Sequence, residues 1–383
     1  MSIYLDHNAT CPPDPEVVEA MLPYLQGRFG NPSSIHGFGQ QARRGVDLAR
    51  EQVARLIGAE PEEIVFTSGG TEANNLAILG GFAANRDTHD HIVVSPLEHQ
   101  AVLGPIEQLE RHSDVRVTRL EARENGAIDL SSMPKRPNTA TLISVMTANN
   151  DTGVIQPIEK IVPLARELGA ILHSDAVQAV GKLPFDVHAM GIDLLSFSSH
   201  KLYGPKGAGA LFVRRGTHLL PQVFGGHQET GRRAGTENVA AIVGFGCACA
   251  IAERRLTRDI AHMTRLRDRL AAGIEASIED VEVFGRAADR IANTLNVGFG
   301  DIEGDTLVMA LDLKGVAVST GSACLSESKT LSHVLTAMGA APRMVNGSVR
   351  FSLGRHNTTE EVDTVIALLE EWAPRLRCPS GGK

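Results

Sequence analysis

Between Ile64 and about Arg214 the sequence alternates short apolar runs with amphipathic helical stretches, and that rhythm leaves few folds open. The runs are Ile64–Phe66, His91–Val94, Val115–Val117, Thr141–Val145, Ile171–His173, Leu194–Phe197 and Gly209–Val213. Helical periodicity lies between them, in Ala101–Arg111 and Ile158–Leu168. Strands that are apolar throughout are buried on both faces, so the pattern predicts an α/β domain with a mostly parallel seven-stranded sheet flanked by helices. Sheets of this kind bind ligands at the carboxyl ends of their strands. Beyond Val239 two helical patterns are expected, Ala240–Ala252 and Leu256–Ala276. Strand-like runs follow at Thr294–Val297, Val316–Val318 and Ser348–Ser352, then a helix from Thr359 to Trp372 that opens on a capping pattern at Thr358. This second region reads as a smaller α+β domain. Cys378–Lys383 is expected to be disordered.

A formal net charge of −8 argues against a nucleic-acid surface, which needs clustered Lys and Arg. No apolar stretch approaches the roughly 20 residues that span a bilayer, and the N-terminal residues lack the basic and apolar regions of a signal peptide. The expected location is the cytoplasm. The five cysteines are too few and too scattered for a disulfide framework. Cys247 and Cys249 fall in an apolar helical run and read as buried. Cys324 differs, because Ser319–Ala323 and Leu325–Ser328 around it are small and polar, the composition of an exposed loop where reactive thiols occur.

The chemistry gathers where the apolar runs end. Leu194–Phe197 empties into Ser198, Ser199, His200 and Lys201, which brings an amine, an imidazole and two hydroxyls to one place. A lysine there can form a Schiff base with a carbonyl cofactor, and Ser and His can hold a phosphate. Ile171–Ser174 ends at Asp175, a carboxylate able to keep a pyridinium nitrogen protonated. Together Lys201 and Asp175 suggest a pyridoxal-phosphate site. Lys206 is the competing amine, but it sits in the turn Gly204–Gly209, away from the strand end. Ser68-Gly69-Gly70-Thr71 leads from a strand into a helix, where backbone N–H groups and the Thr71 hydroxyl can take a phosphate; a simple capped glycine turn would look the same. His99 either stacks on a planar ring and moves a proton or is an ordinary surface histidine. Asn149 and Asn150 offer amides after a strand, although Asn-Asp-Gly strings are usually turns, and Gln178 offers another at a strand exit. Arg350, in an alternating strand, faces either solvent or the site, where its fork suits a carboxylate. The glycine-rich, charged stretch Gly225–Asn238 reads as a long functional loop that could reach a phosphate across a dimer interface.

Taken in order, these strings resemble the cysteine desulfurases of the nitrogen-fixation and housekeeping iron–sulfur type, within the class V aminotransferase group of fold-type I pyridoxal-phosphate enzymes. The resemblance runs from Tyr4-Leu5-Asp6 and Phe29-Gly30-Asn31-Pro32 through Glu98-His99, Asp175-Ala176-Val177-Gln178 and Gly235-Thr236-Glu237-Asn238. It continues to Gly321-Ser322-Ala323-Cys324 and Arg350-Phe351-Ser352. It implies a large cofactor-binding domain over 15–255 and a small domain built from 1–14 and 256–383, with a catalytic cysteine loop at about 320–332. It further implies Lys201 as the Schiff-base lysine, Asp175 on the ring nitrogen and His99 over the ring. Gln178 and Asn150 would bond the ring oxygen or the substrate. Gly70, Thr71, Ser198 and His200 would hold the phosphate, with Thr236 from the second subunit of a homodimer. Arg350 would take the carboxylate of L-cysteine, and Cys324 would carry the persulfide. An iron–sulfur scaffold or another sulfur-acceptor protein would receive the sulfur, and Cys324 would then ligate a transient shared iron–sulfur cluster. Asp151, Cys11, Leu325 and Lys329-Thr330-Leu331 depart from the family's usual residues.

The reaction so implied is removal of sulfur from L-cysteine to give L-alanine. Two other readings of the same residues are an aminotransferase or selenocysteine-type lyase and a non-enzymatic sulfur carrier. A loop thiol argues against simple transamination, and intact Lys201, Asp175 and His99 argue against the non-enzymatic carrier.

Overall fold

The computed structural model describes residues 2–86, 90–320 and 331–377. Cys324, most of the expected cysteine loop, and the tail Cys378–Lys383 lie outside the described residues. Seven strands form the central sheet: β1 (Ile64–Thr67), β2 (His91–Val94), β3 (Arg116–Arg119), β4 (Leu142–Ser144), β5 (Ile171–Asp175), β6 (Leu194–Ser198) and β7 (Gly209–Val213). Their order is β1-β7-β6-β5-β4-β2-β3. Only β7 runs against its neighbours, β1 and β6; all other pairs are parallel. The mostly parallel seven-stranded expectation therefore holds. The inner strands are buried along their length, while β3 reads Arg-Val-Thr-Arg, is half exposed and forms an edge.

Helices cover both faces. α1 (Pro15–Gln26) is capped by Asp14, and α2 (Gly37–Ile57) ends on Gly58 in a left-handed conformation. α3 (Gly70–Asn75) continues through a π turn, Leu76–Gly80, into Gly81–Asn85 as one helical run. α4 (Gln100–His112) begins on His99, whose Nδ1 caps it, and α5 (Ile158–Leu168) leads into β5.

The two helical patterns expected after Val239 are one helix, α6 (Val239–Ser277), of 39 residues. The polar stretch Glu253-Arg254-Arg255 contains no helix breaker, and Arg55 and Asp259 bind its exposed charges. The first half of α6 packs Phe245, Cys249 and Ile251 into the core under the central sheet. The second half packs Leu266, Leu270 and Ile274 into a second core. That core also holds the antiparallel sheet β8 (Val281–Val283), β9 (Thr294–Phe299) and β10 (Ser348–Ser352), and α7 (Thr359–Leu376), which opens on the expected Thr358 capping box. The expected strand at 316–318 forms no part of this sheet; Val316–Ala317 pairs in parallel with Ile3–Tyr4.

Candidate active site

A cavity of about 290 Å³ opens at the carboxyl ends of β1, β5 and β6. Ten of the residues expected to serve the site border it: Gly70, Thr71, His99, Asn150, Asp175, Gln178, Ser198, His200, Lys201 and Arg350. Thr236 is exposed and does not border it, and Cys324 lies outside the described residues. Asn8, Ala9, Asn74, Met146 and Val177 also line it. The sequence reading gave none of these a role, because apolar wall residues and buried asparagines leave no local pattern.

Asp175, the last residue of β5, is buried. Its Oδ2 accepts from Asn74 Nδ2 at 2.7 Å and its Oδ1 from the Val177 N–H at 2.9 Å. These bonds fix the carboxylate at the wall of the cavity. Lys201 follows β6 after the single 3-10 turn Ser199–Lys201. Its ammonium donates to the carbonyls of Asn8 and Ala9, the latter at 2.7 Å. His200 beside it is bonded to Thr10 Oγ1 at 3.1 Å, and burial pulls its pKa down to about 4. His99 Nδ1 accepts the Ala101 N–H at 3.0 Å, so its neutral ring carries the proton on Nε2. Just before it, Glu98 is fully buried and its pKa is raised well above the usual carboxylate value, first by burial and then by Asp175. The Met146 N–H donates to Glu98 Oε1 at 2.5 Å, and Oε2 has no partner.

The end of the cavity at the head of α3 rests on backbone. A Cβ at Gly70 would come within 2.6 Å of Val177 Cγ2, so only glycine keeps the start of the helical run open there. The Ser198 hydroxyl at this end is buried and has no partner.

Arg350, on β10, faces the same cavity and is nearly buried. It donates to Asp6 Oδ1 at 3.0 Å and to the Asn150 carbonyl at 3.3 Å, with Asp151 Oδ1 at 3.6 Å; its Nε has no partner. Asp151, whose pKa burial raises against the pull of Arg350, also accepts from Ser332 Oγ at 3.0 Å. Ser319 pairs with Arg350 through both backbone bonds, at 2.7 and 3.2 Å. The residues flanking 321–330 are thus fastened to the wall of the cavity. Among the described residues, no group of three or more His, Cys, Asp or Glu side chains is arranged to hold a metal.

Known proteins resemble this chain along nearly all of its length. The sequence matches the aminotransferase class-V family over residues 3–365. It is 45% identical over 376 residues to "Cysteine desulfurase IscS" of Dictyoglomus turgidum, covering 98% of this chain and 95% of that protein. It is 48% identical over 380 residues to "Cysteine desulfurase" of Nostoc sp., covering 99% and 94%. Among solved structures, a "NIFS-LIKE PROTEIN" superposes with a TM-score of 0.92 at 36% identity, covering 98% of this chain and 100% of that one. "SspA in complex with cysteine" superposes with a TM-score of 0.81 at 36% identity, covering 93% and 100%. With a lysine and an aspartate at adjacent strand ends of one cavity, and relatives of this closeness over the whole fold, the chain belongs to the aminotransferase class-V family.

Proposed function

We propose that this chain is a pyridoxal-phosphate-dependent cysteine desulfurase that moves sulfur from L-cysteine onto Cys324 and releases L-alanine. One observation carries the reading. Lys201, Asp175 and Arg350 meet at one cavity, and two residues on either side of 321–330 are bonded at its wall, Ser319 to Arg350 and Ser332 to Asp151.

Pyridoxal phosphate fits the residues present. Gly70 and Thr71, at the head of the helical run, and the unpartnered Ser198 hydroxyl would hold its phosphate with His200. Asp175 would face the ring nitrogen, His99 would cover the ring, and Gln178 and Asn150 would meet the ring oxygen or the substrate. When bound, the cofactor supplies an electrophilic carbon for Lys201 or the substrate amine and a ring that withdraws electrons from the substrate α-carbon.

The remaining work falls to the protein. Arg350 receives the cysteine carboxylate, for which its unpartnered Nε and its position on the cavity wall suit it. Lys201 Nζ leaves the Asn8 and Ala9 carbonyls and takes the α-proton. His99 Nε2 holds the proton exchanged with the substrate thiol. The Cys324 thiolate then attacks the substrate sulfur: an S–S bond forms as the C–S bond breaks, and the carbon fragment takes up protons to leave as alanine.

The same reading makes the protein a cytoplasmic homodimer. Phe29, Ile35, Phe38 and Phe224 are largely exposed, and Phe29 stacks on Phe38, apolar surface that a second copy would cover. Thr236, exposed on its own chain, would then reach the partner's phosphate. An iron–sulfur scaffold or other acceptor protein takes the sulfur from Cys324, which in that exchange ligates a transient shared cluster. The test is mass spectrometry after incubation with L-cysteine. The Cys324 peptide gains one sulfur and alanine accumulates, while Cys324→Ala keeps the bound cofactor's colour and yields neither product. Full sulfur release by Cys324→Ala would remove that thiol from the mechanism.

A further inference from the structure

Lys182 does not border the cavity, yet its ammonium is buried directly behind the wall. It donates to Gln178 Oε1 at 2.7 Å and lies 3.4 Å from Asn8 Oδ1. Among the described residues no carboxylate lies within ion-pair distance of it. The ionisable groups that bear on it are Cys11, Lys201 and Arg350, and burial brings its pKa down to about 7. A buried cation without a counter-ion is destabilising, and a methionine of similar length would remove that penalty. Stability alone does not account for a lysine here.

The amide of Gln178 does. Lys182 Nζ donates to Gln178 Oε1 and to Asn8 Oδ1, so the Gln178 atom facing Lys182 is the oxygen. The nitrogen then faces the carbonyl of Asn8, to which it donates at 3.0 Å. That leaves its second hydrogen for the cavity that Gln178 lines. Turned the other way, the amide would set its oxygen against the Asn8 carbonyl and its hydrogens against the ammonium. The Asn8 carbonyl also accepts from Lys201, so the Lys182–Gln178 pair and the reactive amine share one anchor.

We propose that Lys182 is a positioning residue of the cofactor pocket, holding Gln178 so that its N–H, and not its oxygen, faces the ring oxygen of pyridoxal phosphate. The proposal rests on the reading of the pocket given above and adds to it a residue outside the wall. It predicts that the effect of Lys182 on cofactor binding runs through Gln178.

The experiment is a double-mutant cycle on cofactor binding, read from the absorbance of protein stripped of cofactor and titrated with pyridoxal phosphate. Lys182→Met and Gln178→Met should each weaken binding roughly tenfold, the scale of one hydrogen bond to a charged oxygen. The double variant should bind like either single one, not roughly a hundredfold more weakly. Melting of the stripped Lys182→Met protein at or above the wild-type temperature is expected, since a buried charge is gone. Multiplicative losses in the double variant, unchanged binding by Lys182→Met, or a lower melting temperature accompanied by multiplicative losses would each overturn the proposal. Wild-type protein that fails to bind pyridoxal phosphate would instead sink the reading of the pocket itself.

Discussion

The Asn74 amide donates to Asp175 across 2.7 Å, and both side chains are buried although 101 positions separate them in sequence. One oxygen of Asp175 is taken by Asn74 and the other by the Val177 N–H, so the carboxylate cannot rotate without giving up a bond. Asp175→Asn removes the charge and leaves one of the two donors facing an NH2 group. Turnover of cysteine is expected to fall on the order of 10²-fold or more, the usual loss for a preorganised electrostatic contact, while the fold persists. Steady-state alanine production alongside circular dichroism measures both halves of that statement.

Arg350 is surrounded by Asp6, Asp151 and the Asn150 carbonyl before any substrate arrives. A carboxylate entering the cavity needs the planar fork, which lysine lacks. For Arg350→Lys, KM for cysteine should rise roughly ten- to hundredfold. Competition by alanine, which shares the carboxylate and lacks the thiol, should weaken in the same proportion. A variant that loses kcat at unchanged KM would show that Arg350 does not hold the substrate.

Glu98 makes stability depend on pH with a definite sign. Its folded-state pKa lies well above the ordinary value of 4.5, so the folded chain keeps a proton that the unfolded chain releases. Its contribution is complete at acid pH and is lost as pH climbs from about 4.5 toward the folded-state value. Glu98→Gln, which keeps the acceptor for Met146, should match wild type near pH 4 and be the more stable protein at pH 7. Urea unfolding of the cofactor-free proteins at the two pH values checks this. An equal difference at both would mean that Glu98 is ionised in the fold.

Glu229 closes a buried junction beneath β1. Its carboxylate takes two bonds from Arg50, at 2.6 and 2.8 Å, and one from the Phe66 N–H at 2.9 Å. The residue holds a left-handed backbone, φ 47°, to do so. Glu229→Ala leaves the Arg50 guanidinium with the Ile64 carbonyl and the Phe66 ring but no counter-ion, and a loss of about 3 kcal/mol is expected from removing one partner of a largely buried pair. A shift of the urea midpoint with little change in its slope would support that assignment.

The sheet was legible because its inner strands are apolar on both faces, and the strand-end residues Asp175, Lys201 and Asn150 could be named for the same reason. The edge strand was placed one residue early, since Arg116–Arg119 alternates charge with Val and Thr and has no buried face to mark it. The long helix was split because Glu253-Arg254-Arg255 looks like a solvated break, although no Gly or Pro interrupts it. Asn8, Asn74, Lys182 and Glu229 were given no role of their own. Each is a polar side chain whose partners lie more than 100 positions away, or whose burial depends on elements distant in sequence. Periodicity reports neighbours along the chain, and these residues are defined by neighbours across it.

A rod 39 residues long that lends Phe245 to one apolar interior and Leu270 to the other is a shared wall between them. Heat that loosens either interior strips the opposite one of a face, so the two should melt as one calorimetric unit. Slow amide exchange should extend without interruption from Ala248 to Leu270, and a proteolytic cut near Arg254 should leave neither half able to refold by itself.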